Sequence, residues 1–146
     1  TNLNIAIVGD SGDPLGAIGR WQGDPRFGDI RITGTNLQSS VLAIGTTSDP
    51  GLAGTRAGDV VLNTEYRFDG SPYDLYSVML HEAGHTLGLG NSTNSSSVMY
   101  TQYAGKRTGL SASDITAIQS LYGGRTQDIF EGSKGNNSIK FAYDIG

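Results

Sequence analysis

Apolar and polar residues first alternate along this chain and later recur at helical spacing. Leu3 to Val8, LNIAIV, reads as a strand, and the GDSGDPLG that follows reads as a turn-rich loop. GDIRIT sets apolar Ile30 and Ile32 between polar Asp29 and Arg31, the period-two pattern of a half-buried strand. VLAIGT and GDVVLN are two further short strands, with the long Gly-rich loop TSDPGLAGTRAG between them. Four strands are therefore expected before any helix.

The spacing changes at SPYDLYSVMLHEAGHTLGLG. Ser71 suits an N-cap, Pro72 the first helical position, and Asp74 completes a capping-box-like pattern. Leu75, Val78, Met79 and Ala83 fall on one helical face and should turn to the sheet. Gly88 and Gly90 should end the helix. After the polar NSTNSSSVMYTQYAGKRTG, a second helix is expected from a Ser111 cap, with Ile115, Ile118 and Leu121 on one face and a stop at Gly123-Gly124. Residues 125–146 change character, polar and Gly/Asn-rich with isolated apolar positions. We read residues 1–124 as one domain and 125–146 as a linker or the opening of another module.

Composition narrows the classes. A chain of 146 residues suffices for one domain with a core, and its 22 glycines forecast many turns. The sequence holds no apolar run long enough for a membrane-spanning helix. It holds no cysteine, so disulfides, thiolate metal clusters and cysteine nucleophiles are excluded. The net charge of -4, with no basic cluster beyond GKRTG, argues against a nucleic-acid partner.

The chemistry concentrates in HEAGHTLGLGN, His81 to Asn91, which holds the only two histidines of the chain. Residues four apart share a helix face, so His81 and His85 can aim ring nitrogens at one ion. Glu82 follows the first histidine and is placed to act as a general base toward water and then to pass the proton to a leaving amine. A zinc ion held by two or three such ligands lowers the pKa of water from about 15.7 towards about 7. The bland alternative, two surface histidines on a helix, is weakened by the glycine at the expected interval after His85 and by Met99, eight residues beyond Asn91.

FGDIRI, GDVVLN, LHEAGHTLGLGNSTNSSSVMY and GLSASDITAIQSLYG occur in this order and at these separations in the matrixins, the matrix-metalloproteinase-like branch of the metzincins, and the chain resembles that family from about Leu3 to Gly123. The resemblance implies an α+β, zincin-like fold: a twisted mixed sheet with an active-site helix and a C-terminal helix, the family's N-terminal strand and helix being absent from this sequence. It implies Zn2+ bound by His81 and His85, Glu82 as general base, and Met99 as the Met-turn residue. Tyr100 and Tyr103 should line the pocket for the substrate side chain after the scissile bond, and VLAIGT should be the edge strand that pairs with an extended peptide. Asn91 stands where the family has its third histidine ligand; its amide oxygen is a poorer zinc donor than imidazole. Asp59, Asn63 and Glu65 in GDVVLNTEY are candidate Ca2+ ligands.

Three readings follow. The first is a secreted, extracellular, monomeric zinc endopeptidase acting on peptides or proteins. The second is a matrixin-fold protein, weak or inactive in catalysis, that binds extended peptides. The third is an adhesion or carbohydrate-binding module with a vestigial motif. Retention of Glu82 favours the first, since a binding module has no use for a general base.

Overall fold

The computed structural model describes residues 6–124. Three strands form one mixed sheet: β1 (Ile32–Thr35), β2 (Ala43–Gly45) and β3 (Val60–Asn63), in the order β1-β3-β2. β1 runs parallel to β3 with Ile32 opposite Val60, and β2 runs antiparallel to β3 with Ile44 opposite Val61. Between β2 and β3 lie α1 (Pro50–Ala53), a single turn capped by the Asp49 carboxylate, and a 3-10 turn at Gly54–Arg56. Two longer helices follow: α2 (Leu75–Thr86), which packs across β2 and β3, and α3 (Ala112–Tyr122). The α+β architecture with an active-site helix and a C-terminal helix is the one expected.

The core sits where α2 meets the central strand. Val60, Val78, Val98 and Met99 are buried, and Phe27 and Ala57 are buried as well. The strand pattern at GDIRIT needs correction. The strand begins at Ile32 and extends to Thr35, and Ile30 and Ile32 remain 53% and 60% exposed. β1 pairs with β3 on one side, and α2 covers β2 and β3 rather than β1, so Ile32 stays uncovered by α2, and Ile30 precedes the strand. Of LNIAIV, residues 3–5 lie outside the described residues, and Ala6 to Val8 are exposed and irregular. The expected linker, 125–146, also lies outside them.

Arginine and aromatic side chains organise the loop that leads into β1. The Arg31 guanidinium grips both carboxylate oxygens of Asp10, at 2.7 and 3.1 Å, and lies over the Phe27 ring with Arg26 on the same ring. Cation–π contact and paired charge together hold the turn without an extended apolar run.

The cap of α2 also departs from expectation. Asp74, not Ser71, is the N-cap, and its carboxylate accepts from the Ser77 N–H at 2.9 Å. The Gly70 N–H donates to the Tyr73 carbonyl and Asp69 bridges to Asp74, so Ser71 and Pro72 belong to a turn before the helix. Leu75 is consequently exposed at the first position, while Val78 reaches the core. Gly88 ends the helix as expected, at φ +89°, a conformation costly for any side chain; Gly90 is not left-handed.

α3 is held by its ends more than by its face. Ile115 and Leu121 stay largely exposed, against expectation. At its start Ser111 and Asp114 form a reciprocal capping box. At its end the Tyr122 hydroxyl donates to the Leu87 carbonyl at 2.9 Å, just beyond α2. Asp114 is 2% exposed, and its carboxylate also accepts from the Val98 N–H at 3.0 Å and from the Ser97 hydroxyl. Burial alone would raise its pKa, but the donors from Ser97, Val98 and Ser111 outweigh that and leave it lowered.

Two expectations follow from this carboxylate. Asp114→Asn should cost about 2–3 kcal/mol, the scale of hydrogen bonds to a buried charge, read as a lower denaturation midpoint. Because the folded-state pKa lies below the ordinary 3.8, this stabilisation is complete above that value and is lost as pH falls through the depressed folded value. Asp74, lowered by the Ser77 hydroxyl and N–H, acts in the same direction. Wild type should therefore lose stability in acid more steeply than Asp114→Asn, measured by urea melts at neutral pH and below pH 4.

Candidate active site

α2 carries His81 and His85 one turn apart on one face, and the two rings meet edge to face with centroids 4.7 Å apart. Each ring is oriented from behind. His81 Nδ1 lies 2.7 Å from the Val98 carbonyl, and His85 Nδ1 lies 2.9 Å from the Leu89 carbonyl. A carbonyl only accepts, so both Nδ1 atoms carry the proton and both Nε2 atoms present lone pairs. Those Nε2 atoms are 3.1 Å apart. Two facing lone pairs at this distance repel unless a cation lies between them. Two zinc–nitrogen bonds of about 2.0–2.1 Å at a tetrahedral angle span roughly 3.3 Å. The donor set and its spacing therefore fit a shared zinc ion, and carbonyl partners at Nδ1 are the usual way such ligands are oriented.

Glu82 is only 6% exposed and sits under the β2 edge. Burial pushes its pKa up, while the neighbouring His81 and His85 and the Gly45 N–H draw it down. Gly45 makes the close approach possible. A Cβ built there would lie 2.6 Å from the Glu82 carbonyl oxygen and 2.9 Å from Glu82 Oε2. A second glycine, Gly84, serves Met99 on the helix flank: an added Cβ would overlap the Met99 thioether. Met99 is 3% exposed, and its N–H donates to Ser97 Oγ at 2.9 Å. The turn beneath the histidines is thus tied through Ser97 and Val98 to Asp114.

Asn91 is exposed. The backbone is tied to the site on either side of it: the Leu89 carbonyl holds His85, and the Ser92 N–H donates to the Met99 carbonyl at 2.7 Å. Among the described residues no third His, Cys, Asp or Glu joins the histidine pair. Tyr100 and Tyr103 line the same cavity as His81 and Glu82, a space of ≈ 530 Å³ bounded on its other side by Val41, Leu42 and Ala43.

The three candidate calcium ligands do not come together, which corrects that expectation. Asp59 precedes β3 and Asn63 ends it, roughly 13 Å along a strand that rises about 3.3 Å per residue. Asn63 is fully buried and committed to structure. Its amide oxygen accepts from the Leu37 and Glu65 N–H groups, and its amide nitrogen donates to the Leu37, Gln38 and Val41 carbonyls. Glu65 is exposed. Asp59 is 1% exposed; Oδ1 accepts from the Arg31 N–H, whereas Oδ2 is buried without a partner among the described residues. Its pKa is raised by burial, against the pull of Arg31 and Arg56.

Sequence reasoning missed Asp114, Ser97 and Gly45. The pattern S-x-x-D at Ser111–Asp114 announced a helix cap, but nothing local announced that the same carboxylate would reach the turn at Ser97 and Val98.

A helix bearing HExxH against a small mixed sheet, with a methionine turn packed beneath the histidines, defines the metzincin class. The Matrixin family model matches residues 34–123, more than half of the chain. The chain therefore belongs to the matrixin family, a family of zinc metalloendopeptidases. It is 43% identical over 83 residues to matrilysin of Rattus norvegicus, covering 53% of this chain and 30% of that protein. It is 38% identical over 78 residues to matrix metalloproteinase-27 of Homo sapiens, covering 51% and 15%. To karilysin of Tannerella forsythia it is 37% identical over 76 residues, covering 51% and 16%. The chain spans less than a third of the length of these relatives. No helix among the described residues is long and apolar enough to cross a membrane.

Proposed function

We propose that this chain is a zinc-dependent endopeptidase domain that cleaves extended peptides, secreted and acting outside the cell. The carrying observation is the pair of Nε2 lone pairs held 3.1 Å apart by carbonyl partners on both Nδ1 atoms. His81 and His85 would hold the ion, with the Asn91 amide oxygen as third protein donor. Bound zinc supplies Lewis-acid polarisation of the scissile carbonyl and makes water nucleophilic at neutral pH.

The protein's own groups supply the rest. Glu82 takes a proton from the attacking water on its carboxylate and delivers it to the nitrogen of the leaving amine. The Gly45 N–H steadies that carboxylate, and burial, by raising its pKa, brings it nearer to neutral pH, where a proton can be both taken and given. The β2 edge would pair with an extended substrate backbone, β-augmentation, and the cavity lined by Tyr100 and Tyr103 would receive a side chain. Chemistry at the pair also separates this reading from a peptide-binding role, because Glu82 contributes to proton transfer and does not itself orient either imidazole.

Glu82→Gln tests the reading. Turnover of a peptide pool should fall by about 10²–10⁴-fold while zinc content and melting temperature stay near wild type. Undiminished turnover would remove Glu82 as the base, and chelator-insensitive turnover would remove the metal.

Asn91→His should complete a three-imidazole site. Zinc affinity, measured by competition with a chelator, should rise by at least the 10–100-fold typical of lesser changes around a metal. Turnover should gain most at limiting zinc. Equal affinity in the two proteins would show that residue 91 does not face the ion.

Calcium is proposed at Asp59 alone, whose buried Oδ2 has no partner among the described residues and would face the ion. At 100-fold excess over its Kd, Ca2+ should stabilise wild type by about 2.7 kcal/mol. Thermal melts with and without Ca2+ on wild type and Asp59→Asn check this, and an unchanged wild-type melting temperature sinks it.

A further inference from the structure

A second cavity lies where the end of α2 meets the end of α3. Leu87 and Tyr122 line it from the two helices, Ile30 and Gly58 from the segments that lead into β1 and β3, and Trp21 from the preceding loop. Its volume is ≈ 160 Å³, and an apolar space of about 150 Å³ takes a benzene ring. Much of its lining is open to water. Trp21 is 60% exposed, Ile30 53% and Tyr122 43%. Contiguous apolar surface of this kind marks a place where something docks. Two polar groups on the wall are already engaged: the Tyr122 hydroxyl donates to the Leu87 carbonyl at 2.9 Å, and Asp29 Oδ1 accepts from the Gly23 N–H at 2.6 Å. The rings of Trp21 and Tyr122 favour an aromatic guest over an aliphatic one.

The chain carries such a guest within reach. α3 ends at Tyr122, on the cavity wall, and Gly123, at φ +75°, turns the backbone out of the helix. Beyond the described residues the sequence is polar from Arg125 to Asp128, apolar at Ile129 and Phe130, and polar or glycine from Glu131 to Ser138. Phe130 stands eight positions after Tyr122. A segment of that length spans about 26–29 Å at full stretch and roughly 14–17 Å on average when flexible. So short a tether presents its end at an effective concentration in the millimolar range. Phe141 stands more than twice as far along, which lowers its own effective concentration.

Charge points the same way. Asp128 and Glu131 flank the Ile129–Phe130 pair. Arg20 precedes Trp21, and Arg56 precedes Ala57, another residue of the cavity wall. Both arginines are exposed, and neither is in an ion pair among the described residues. Exposed pairs of opposite charge add little energy but favour one orientation of approach.

We propose that residues 126–132 fold back on the domain and seat the Phe130 ring in this cavity, against Trp21, Ile30, Leu87 and Tyr122, so that the start of the tail closes over the ends of both helices. Docking of this kind needs neither zinc nor cleavage.

Trp21 is the only tryptophan of the chain, so its fluorescence reports on this cavity. The full chain is measured beside Phe130→Ser and Phe141→Ser, with the emission maximum and quenching by acrylamide as readouts. Wild type should emit further to the blue and be quenched less steeply than Phe130→Ser, and Phe141→Ser should match wild type. The free peptide TQDIFEG, added to Phe130→Ser, should restore the wild-type signal. Half of that recovery should come at or below the millimolar range, because a tether sustains docking only where the unlinked affinity is tighter than the effective concentration. Equal emission and quenching in wild type and Phe130→Ser overturns the inference. A change carried by Phe141→Ser instead assigns the cavity to a later segment and overturns it as well. A wild-type signal that shifts to the red on dilution means that a second copy supplies the cover, and overturns docking within one chain.

Discussion

The buried carboxylate of Asp114 connects the fold to the chemistry. It caps α3 through Ser111, and it receives the Ser97 hydroxyl and the Val98 N–H from the turn below the active-site helix. The carbonyl of that same Val98 then takes the Nδ1 proton of His81. A cap on one helix therefore bears, through Val98, on the tautomer of His81 on another. The relay matters because a single hydrogen bond to a carbonyl orients an imidazole only as well as the carbonyl is itself held. Buried charge without partners would be costly, and here Asp114 is satisfied by its own helix cap and by the turn below the histidine helix.

Helix α2 serves on all sides, and two glycines let it. Gly84 leaves the space that the Met99 thioether fills, and Gly45 lets β2 approach until its N–H reaches the Glu82 carboxylate. Close packing at both places transmits position between strand, helix and turn, because interiors at crystal-like density have little slack. The far end of the same helix is anchored differently, by Asp74 on Ser77 and by Ser77 on the Arg107 backbone, and this polar anchorage borders the cavity. The histidine pair, Glu82 and the cavity-lining Ser77 and Val78 thus all fall within its twelve residues.

Asn91 alters the proposed metal site without disturbing its frame. The carbonyl of Leu89 and the N–H of Ser92 are engaged on either side of it, so the loop path does not depend on what residue 91 binds. An amide oxygen at that place makes a weaker zinc ligand than imidazole. The proposed weak ligation and general-base role are compatible, since Glu82 is held by burial and by Gly45 and not by residue 91.

Sequence alone determined the local features of this matrixin domain. The i, i+4 histidines with the glutamate between them, the Ser111 cap and the glycine stops all depend on contacts within a turn or two, and these are legible because helical geometry is set by the backbone. Three strands were also legible, through apolar runs such as Val60–Leu62, whereas Ala6–Val8 of LNIAIV form no strand and the short α1 falls before β3. Burial was not. Period-two alternation promised inward Ile30 and Ile32, and helical spacing promised an inward Leu75, Ile115 and Leu121, yet which face is covered depends on what packs against it. The oxygen-bearing trio Asp59, Asn63 and Glu65 looked like one site in sequence, but Asp59 and Asn63 stand at opposite ends of β3 and Glu65 lies beyond it. Only the tertiary structure brought Asp114 to Val98, Gly45 to Glu82 and Tyr103 to the cavity, because each of these joins elements far apart in the chain, and no local propensity encodes a distance of that kind.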